Sequence, residues 1–155
     1  MKWQKSIQAI FIPDRETHIR LASLLILLWS YTALDKIISH QQFIQALQRQ
    51  FFHESFITPL SILIPVAELL ITIMLLNNKW RKVGFISSSI LLSIFTIYVA
   101  LAAFGMLKKM PCACGGIISS LSWGGHLLIN ITFLGLALTG SYLYKNEKGG
   151  AVTRN

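Results

Sequence analysis

The chain's two cysteines, Cys112 and Cys114, lie one residue apart in the sequence Pro-Cys-Ala-Cys-Gly-Gly. Thiols at this spacing can close on each other as a disulfide, bind a soft metal ion or pack without reacting. In an extended backbone their Cβ atoms point to opposite sides, so the chain must bend to close the small ring, and the resulting bond is strained and easily reduced. Pro111 and the two glycines that follow Cys114 suit such a turn. The stretch therefore predicts an exchange-active thiol pair, with Cys112 and Cys114 as the catalytic residues.

Four further polar side chains lie within or beside apolar stretches. Glu68 lies about 16 Å into its predicted helix, where a carboxylate is either functional or a protonated acid bonded to a neighbouring helix. Lys36 ends the first apolar stretch and is expected to snorkel outward, with an inward contact to Glu68 as the alternative. His126 and Asn130 are spaced i, i+4 and share a helix face, where His126 can activate a thiol, relay protons, bind a quinone carbonyl or simply face water. These four are the predicted proton-relay or quinone-site residues.

A copper site is an alternative use of the same region. Met106, Met110, Cys112, Cys114 and His126 offer thioether, thiolate and imidazole groups, which together suit Cu(I). Methionines at the ends of apolar segments are more often packed or lipid-facing, and two cysteines with one nearby histidine fall short of a tetrahedral zinc set. The main interpretation includes no metal ion, and the Cu(I) site stays open beside it.

The elements that must position these residues are four apolar segments of bilayer-spanning length. Of the 155 residues, 54% are hydrophobic and 13% are charged, which is typical of a membrane protein. A helix of about 20 residues crosses about 30 Å of hydrocarbon and satisfies its own backbone there. We therefore predict an all-α, polytopic four-helix membrane bundle, with spans over residues 21–39, 57–76, 83–107 and 123–143. An N-terminal arm (1–19) precedes the membrane domain (20–144), and a C-terminal tail (145–155) follows it.

The basic residues indicate how the chain is oriented. The net charge is +8, but Lys and Arg flank the spans instead of forming one basic face, which argues against nucleic-acid binding. Ten of the 14 Lys and Arg residues lie on the side of the two termini and four on the other, which predicts that both termini are cytoplasmic. The Cys-Ala-Cys loop then lies outside, in an oxidising compartment.

The outer loop between the first two spans carries an apolar stripe. Phe43, Ile44, Leu47, Phe51 and Phe52 recur at helical spacing in a segment otherwise rich in Gln. The pattern predicts an interfacial amphipathic helix on the outer leaflet, or one that docks over the Cys-Ala-Cys loop as a lid.

Three stretches resemble the DoxX and MauE-like membrane proteins. Tyr31-Thr-Ala-Leu-Asp-Lys-Ile-Ile, followed by Phe43, resembles the end of their first helix, and Pro65-Val-Ala-Glu resembles their Glu-bearing second helix. Cys112-Ala-Cys-Gly resembles the Cys-x-Cys-Gly motif between the last two helices of the MauE branch. The resemblance covers residues 20–143 and implies a four-helix protein of the bacterial inner membrane that does redox work outside the cytoplasm. MauE-like members are linked to a thioredoxin-like partner and to disulfide formation during maturation of methylamine dehydrogenase.

The first functional hypothesis is a membrane thiol–disulfide redox protein. A thiolate of an extracytoplasmic thioredoxin-like or client protein attacks the disulfide, and the electrons then pass to a membrane acceptor, for which a quinone near His126, Asn130 and Glu68 is the suggested cofactor. The reverse direction of electron flow, and whether the protein is an enzyme, stay open. The alternatives are a non-enzymatic scaffold or accessory subunit with a structural disulfide, and the Cu(I)-binding protein. Association with further membrane subunits is expected as well.

Overall fold

The computed structural model describes residues 15–50, 53–104 and 123–152, and within them the chain forms five α-helices and no strand. They are α1 (Arg15–Ile38), α2 (His40–Gln48), α3 (Glu54–Leu76), α4 (Arg81–Ala103) and α5 (Trp123–Val152). All except α2 are long and apolar enough to cross a membrane. The predicted all-α, four-span architecture is confirmed, while most of the predicted N-terminal arm lies outside the described residues.

Polar residues at the flanks extend the helices beyond the predicted spans. α1 begins at Arg15, and its first turns carry an ion pair between Arg20 Nη2 and Glu16 Oε2 at 3.0 Å, which supports a helix outside the membrane. α3 begins at Glu54 because His53 caps it, with Nδ1 accepting from the Ser55 amide at 3.4 Å. α5 continues to Val152 through a polar stretch whose Lys and Glu residues are good helix formers.

The four spanning helices pack as a ring around one apolar core. α1 and α4 each contact both α3 and α5, and they face each other across the ring. Trp29 connects this diagonal, because its Nε1 donates to Ser88 Oγ at 3.0 Å inside the core. The large, fully buried side chains of the core are Leu25, Trp29, Leu75, Phe85 and Leu92.

The outward faces of the spanning helices are apolar. Large hydrophobic side chains more than half exposed include Leu27, Ile38, Leu63, Ile73, Ile97 and Leu128. An apolar surface of this extent in water would drive association, whereas acyl chains cover it without cost. The chain is therefore a multi-pass membrane protein.

The ends of the bundle are defined by contacts between helix termini. Tyr144 of α5 donates from Oη to Asn78 O in the α3–α4 turn at 3.1 Å, and its ring meets the His18 ring of α1 at 5.7 Å. The start of α1, the α3–α4 turn and the C-terminal part of α5 therefore share one end. The opposite end carries α2, the C-terminus of α4 and the N-terminus of α5.

α2 packs its apolar face against the first turns of α3. Phe43 and Leu47 are buried with Ile57 in a second cluster, which Leu60 and Ile64 border. α2 lies where the sequence predicts an amphipathic helix. Its apolar face packs against α3. α3 therefore extends beyond the end of α1 and is covered there by α2.

A glycine lets α5 approach α4 closely. A Cβ atom at Gly140 would overlap the ring of Phe85, which is fully buried in the core. By contrast, a Cβ at Gly135, on the same helix, would meet nothing within 4 Å among the described residues. The close contact between α5 and α4 therefore requires a glycine at position 140 and not at position 135.

Candidate functional site

A cavity of ≈ 270 Å³ lies between the helices at the end that carries α2. All four spanning helices and α2 contribute to it, and its walls are mainly apolar. The four residues predicted for the proton-relay or quinone site, Lys36, Glu68, His126 and Asn130, all line it. Residues far apart in the sequence are therefore brought to one place.

Lys36 and Glu68 form a buried ion pair across α1 and α3. Lys36 Nζ lies 2.7 Å from Glu68 Oε1, and the two side chains are 4% and 1% exposed. Lys36 Nζ also donates to Thr32 O, one turn earlier on α1, at 3.3 Å. The expectation that Lys36 snorkels outward is wrong, because the end of α1 is covered by α2 and the nearest partner for the ammonium group is the buried carboxylate.

An aromatic ring of α2 covers the ion pair. Phe43 presents its ring to Lys36, with Nζ 5.8 Å from the ring centroid. Phe43 is itself 5% exposed and also lines the cavity. α2 therefore keeps the charges away from the membrane surface, where water would weaken their attraction.

The second carboxylate oxygen of Glu68 has no hydrogen-bond partner among the described residues. Oε2 is buried, and the hydrogen bond from Lys36 goes to Oε1. A buried acceptor that no donor reaches is destabilising, and native proteins contain few of them. Glu68 Oε2 is therefore an acceptor with capacity for a further hydrogen bond.

Helix α3 is adapted to carry a carboxylate at this depth. Pro65 lies in the helix one turn before Glu68 and has no amide hydrogen, so the Ser61 carbonyl is released from the helix ladder. Thr72 Oγ1 donates to Glu68 O at 3.0 Å. Pro65 and Glu68 are both buried on the bundle side of α3.

α5 brings His126 and Asn130 to the opposite wall. His126 lies in the first turns of α5 and is 3% exposed, while Asn130 is half-buried one turn further on. Both face the cavity, as their i, i+4 spacing predicts. An imidazole and an amide therefore stand across the same space as the ion pair.

Sequence reasoning missed Tyr98 and Thr32, which also line the cavity. Tyr98 lies near the C-terminal end of α4, and His126 lies near the start of α5. Because α4 and α5 are antiparallel neighbours, counting residues back from the loop between them would have placed these two at similar depth. Thr32 lies one helical turn before Lys36, so their i, i+4 spacing could have placed it on the same helix face.

The predicted thiol and copper ligands lie outside the described residues. This holds for Met106, Met110, Cys112 and Cys114, while His126 is described. The described chain stops at Phe104 and resumes at Trp123, and both positions belong to the end of the bundle that carries α2 and the cavity. Within residues 15–50, 53–104 and 123–152, no group of three or more His, Cys, Asp or Glu side chains could hold a metal ion.

Comparison with known proteins identifies one family. A family model described as methylamine utilisation protein MauE matches residues 14–143, which span all four membrane helices and the cavity. No curated protein and no solved structure matches the chain.

Proposed function

The chain belongs to the MauE family, and on that premise we propose that it is a membrane thiol–disulfide redox protein whose exchanging pair is Cys112 and Cys114. The observation that supports this best is the cavity. It collects Lys36, Glu68 and His126 at the end of the bundle where α4 stops and α5 starts, and the two cysteines lie in the sequence between those helices. A thiol pair in the sequence that links α4 to α5, and a mainly apolar cavity with a few charged and polar groups where these two helices meet that link, suit electron transfer between a partner outside and an acceptor inside the membrane.

The proposed exchange consists of two displacements at sulfur. A thiolate of an extracytoplasmic thioredoxin-like or client protein attacks the Cys112–Cys114 disulfide, breaks its S–S bond and forms a mixed disulfide. The partner's second thiolate then displaces that cysteine. The partner leaves with its own disulfide, oxidised by two electrons, and the pair remains as a dithiol. Closing the pair again releases two electrons and two protons to an acceptor.

The cavity fits a quinone headgroup as that acceptor. Its volume of ≈ 270 Å³ exceeds the roughly 150 Å³ that admits a benzene ring and is below the size of pockets for whole drug-sized ligands. Trp29, Phe95 and Tyr98 supply aromatic walls, and Lys36 and Asn130 supply hydrogen-bonding groups. A quinone would supply uptake of two electrons and two protons. The role of the chain is to hold the ring, to exclude water through α2, and to offer His126 and Glu68 as groups that can carry protons.

The proposed setting is the bacterial inner membrane, with both termini in the cytoplasm and the Cys-Ala-Cys segment in the periplasm. Lys79 lies in the α3–α4 turn, and Arg81 and Lys82 begin α4, at the same end as the start of α1 and the C-terminal part of α5. Basic residues gather on the cytoplasmic side of membrane proteins. This supports a periplasmic position for the opposite end, where disulfides persist.

A redox titration of the cysteine pair tests the proposal. The full chain in lipid nanodiscs is equilibrated with thiol–disulfide buffers, its free thiols are alkylated, and the mass shift is measured. We expect one two-electron transition with a midpoint between about −270 and −120 mV, the range of catalytic exchange pairs. Cys112→Ser and Cys114→Ser should each abolish it.

Measurements on the same sample distinguish the proposed redox exchange from the alternative functions. A midpoint below about −300 mV would indicate a structural disulfide and an accessory scaffold. Stoichiometric copper in the purified chain, lost in Met110→Leu, would indicate a Cu(I) carrier. Either result contradicts the proposed redox exchange.

A further inference from the structure

The unsatisfied oxygen of Glu68 determines what the cavity can bind. Oε2 is buried in a residue that is itself fully buried and lines the cavity. An acceptor in this position is satisfied by a ligand that brings a hydrogen-bond donor, and it is left unsatisfied by a ligand that brings acceptors only.

Three donors on the cavity wall near Glu68 make hydrogen bonds to atoms other than Oε2. Lys36 Nζ donates to Glu68 Oε1 and Thr32 O. The Thr32 hydroxyl also lies near the Glu68 carboxyl group, but its single hydrogen is directed to Trp29 O at 3.2 Å. Trp29 Nε1 in turn donates to Ser88 Oγ. Glu68 Oε2 is thus left without a donor among the described residues, in a side chain that lines the cavity.

We infer that the cavity binds the reduced, hydroquinone form of its ligand in preference to the quinone, with one ring hydroxyl donating to Glu68 Oε2. A hydroquinone carries two O–H donors, whereas a benzoquinone of the same shape carries two carbonyl acceptors and cannot satisfy the carboxylate. Lys36 can serve either form, because an ammonium group donates to a hydroxyl or a carbonyl oxygen alike. The difference in affinity therefore comes from Glu68.

This preference shifts the midpoint potential of the bound ligand couple. Tighter binding of the reduced form makes the bound couple a stronger oxidant, and a ten-fold preference raises its two-electron midpoint by about 30 mV. The shift favours transfer of electrons from the cysteine pair to the bound ligand by the same amount. The inference rests on the proposed function for the chemical class of the ligand and adds the selected redox form.

Three probes of matched size test the inference on the unmodified chain. They are 2-decyl-1,4-hydroquinone, 2-decyl-1,4-benzoquinone and 2-decyl-1,4-difluorobenzene, the last of which has the shape of the first without a donor. Each is titrated calorimetrically, without oxygen, into the chain in nanodiscs, with empty nanodiscs as the partition control. A hydrogen bond to a charged group predicts that the hydroquinone binds about ten-fold more tightly than either of the others. Equal affinities, or tighter binding of the benzoquinone, would overturn the inference.

Two variants test whether the Glu68 carboxylate is the source of the preference. Glu68→Gln removes the charged acceptor and should reduce the preference to about three-fold or less, while Glu16→Gln, the same change at an exposed carboxylate, should leave it intact. A full preference retained in folded Glu68→Gln refutes the assignment. If that variant does not fold, the three-probe comparison on the unmodified chain decides the outcome alone.

The cysteine-free chain separates this inference from the proposed function. Cys112→Ser with Cys114→Ser removes thiol exchange and should keep the ligand preference, because neither side chain is needed to accept the hydroxyl. If the pair titrates as an exchange pair and no preference is seen, the inference fails and the proposed function stands. If the preference is seen and the pair titrates below about −300 mV, the proposed function fails instead.

Discussion

Lys36→Met removes the charged end of a side chain that is 4% exposed and keeps most of its apolar length. The variant loses the 2.7 Å contact with Glu68 and the hydrogen bond to Thr32 O, so the buried carboxylate loses the ammonium group that compensates its charge. Removing one member of a buried ion pair costs about 3 to 5 kcal/mol in soluble proteins. In a micelle the unfolded helices also find polar partners, so we expect the lower end of that range, about 3 kcal/mol.

The exposed ion pair on α1 provides the matched control. Arg20 and Glu16 are in contact at 3.0 Å, close to the distance of the buried pair, but their side chains are 78% and 77% exposed. Arg20→Met should therefore cost less than about 1 kcal/mol, because water screens the charges before and after the change. Unfolding by sodium dodecyl sulfate in mixed micelles, followed by circular dichroism, gives both free energies. If Lys36→Met cost no more than Arg20→Met, the buried pair would not exist in solution.

The double variant Lys36→Met with Glu68→Leu separates the charge from the packing. Replacing both members of a buried pair with apolar residues of similar volume is often neutral or stabilising. We expect the double variant to lie within about 1 kcal/mol of the unmodified chain and to be more stable than Lys36→Met alone. Additive losses would show that the two side chains do not interact.

Two further predictions concern helix packing and orientation. Gly140→Ala should destabilise the bundle by about 1 to 2 kcal/mol, since overlap with Phe85 outweighs the gain in helix propensity, whereas Gly135→Ala should be neutral or stabilising in the same unfolding assay. On intact cells, a membrane-impermeant maleimide should label a chain whose only cysteine is Cys112 and should fail to label Asn78→Cys in the cysteine-free background; the opposite pattern would reverse the proposed topology.

The membrane spans were predictable because their signal is local. Length, hydropathy and flanking charge each belong to one segment, and so the four spans follow from the sequence alone. That His126 and Asn130 share a helix face is equally local, because it follows from their i, i+4 spacing. These features depend on no contact between distant residues.

The contact between Lys36 and Glu68 could be named from the sequence only as an alternative to an outward-pointing Lys36. The two residues are 32 positions apart, and Glu68 lies about 20 Å along α3, whereas Lys36 lies within a turn of the end of α1. They meet because α3 extends past α1 and packs its first turns against α2. The snorkelling expectation failed because it treated the end of α1 as the membrane surface. That error could be avoided only by knowing where α2 docks.

The cavity and its polar residues also bear on the choice between a redox protein and a scaffold. A bundle whose only task is packing gains nothing from a ≈ 270 Å³ space or from a carboxylate oxygen that no described residue satisfies. Apolar residues at positions 36 and 68 would serve it equally well or better. The double variant Lys36→Met with Glu68→Leu is therefore expected to retain stability while losing the preference for the hydroquinone. Loss of ligand selection with stability retained is the result expected of residues that have been kept for function and not for packing.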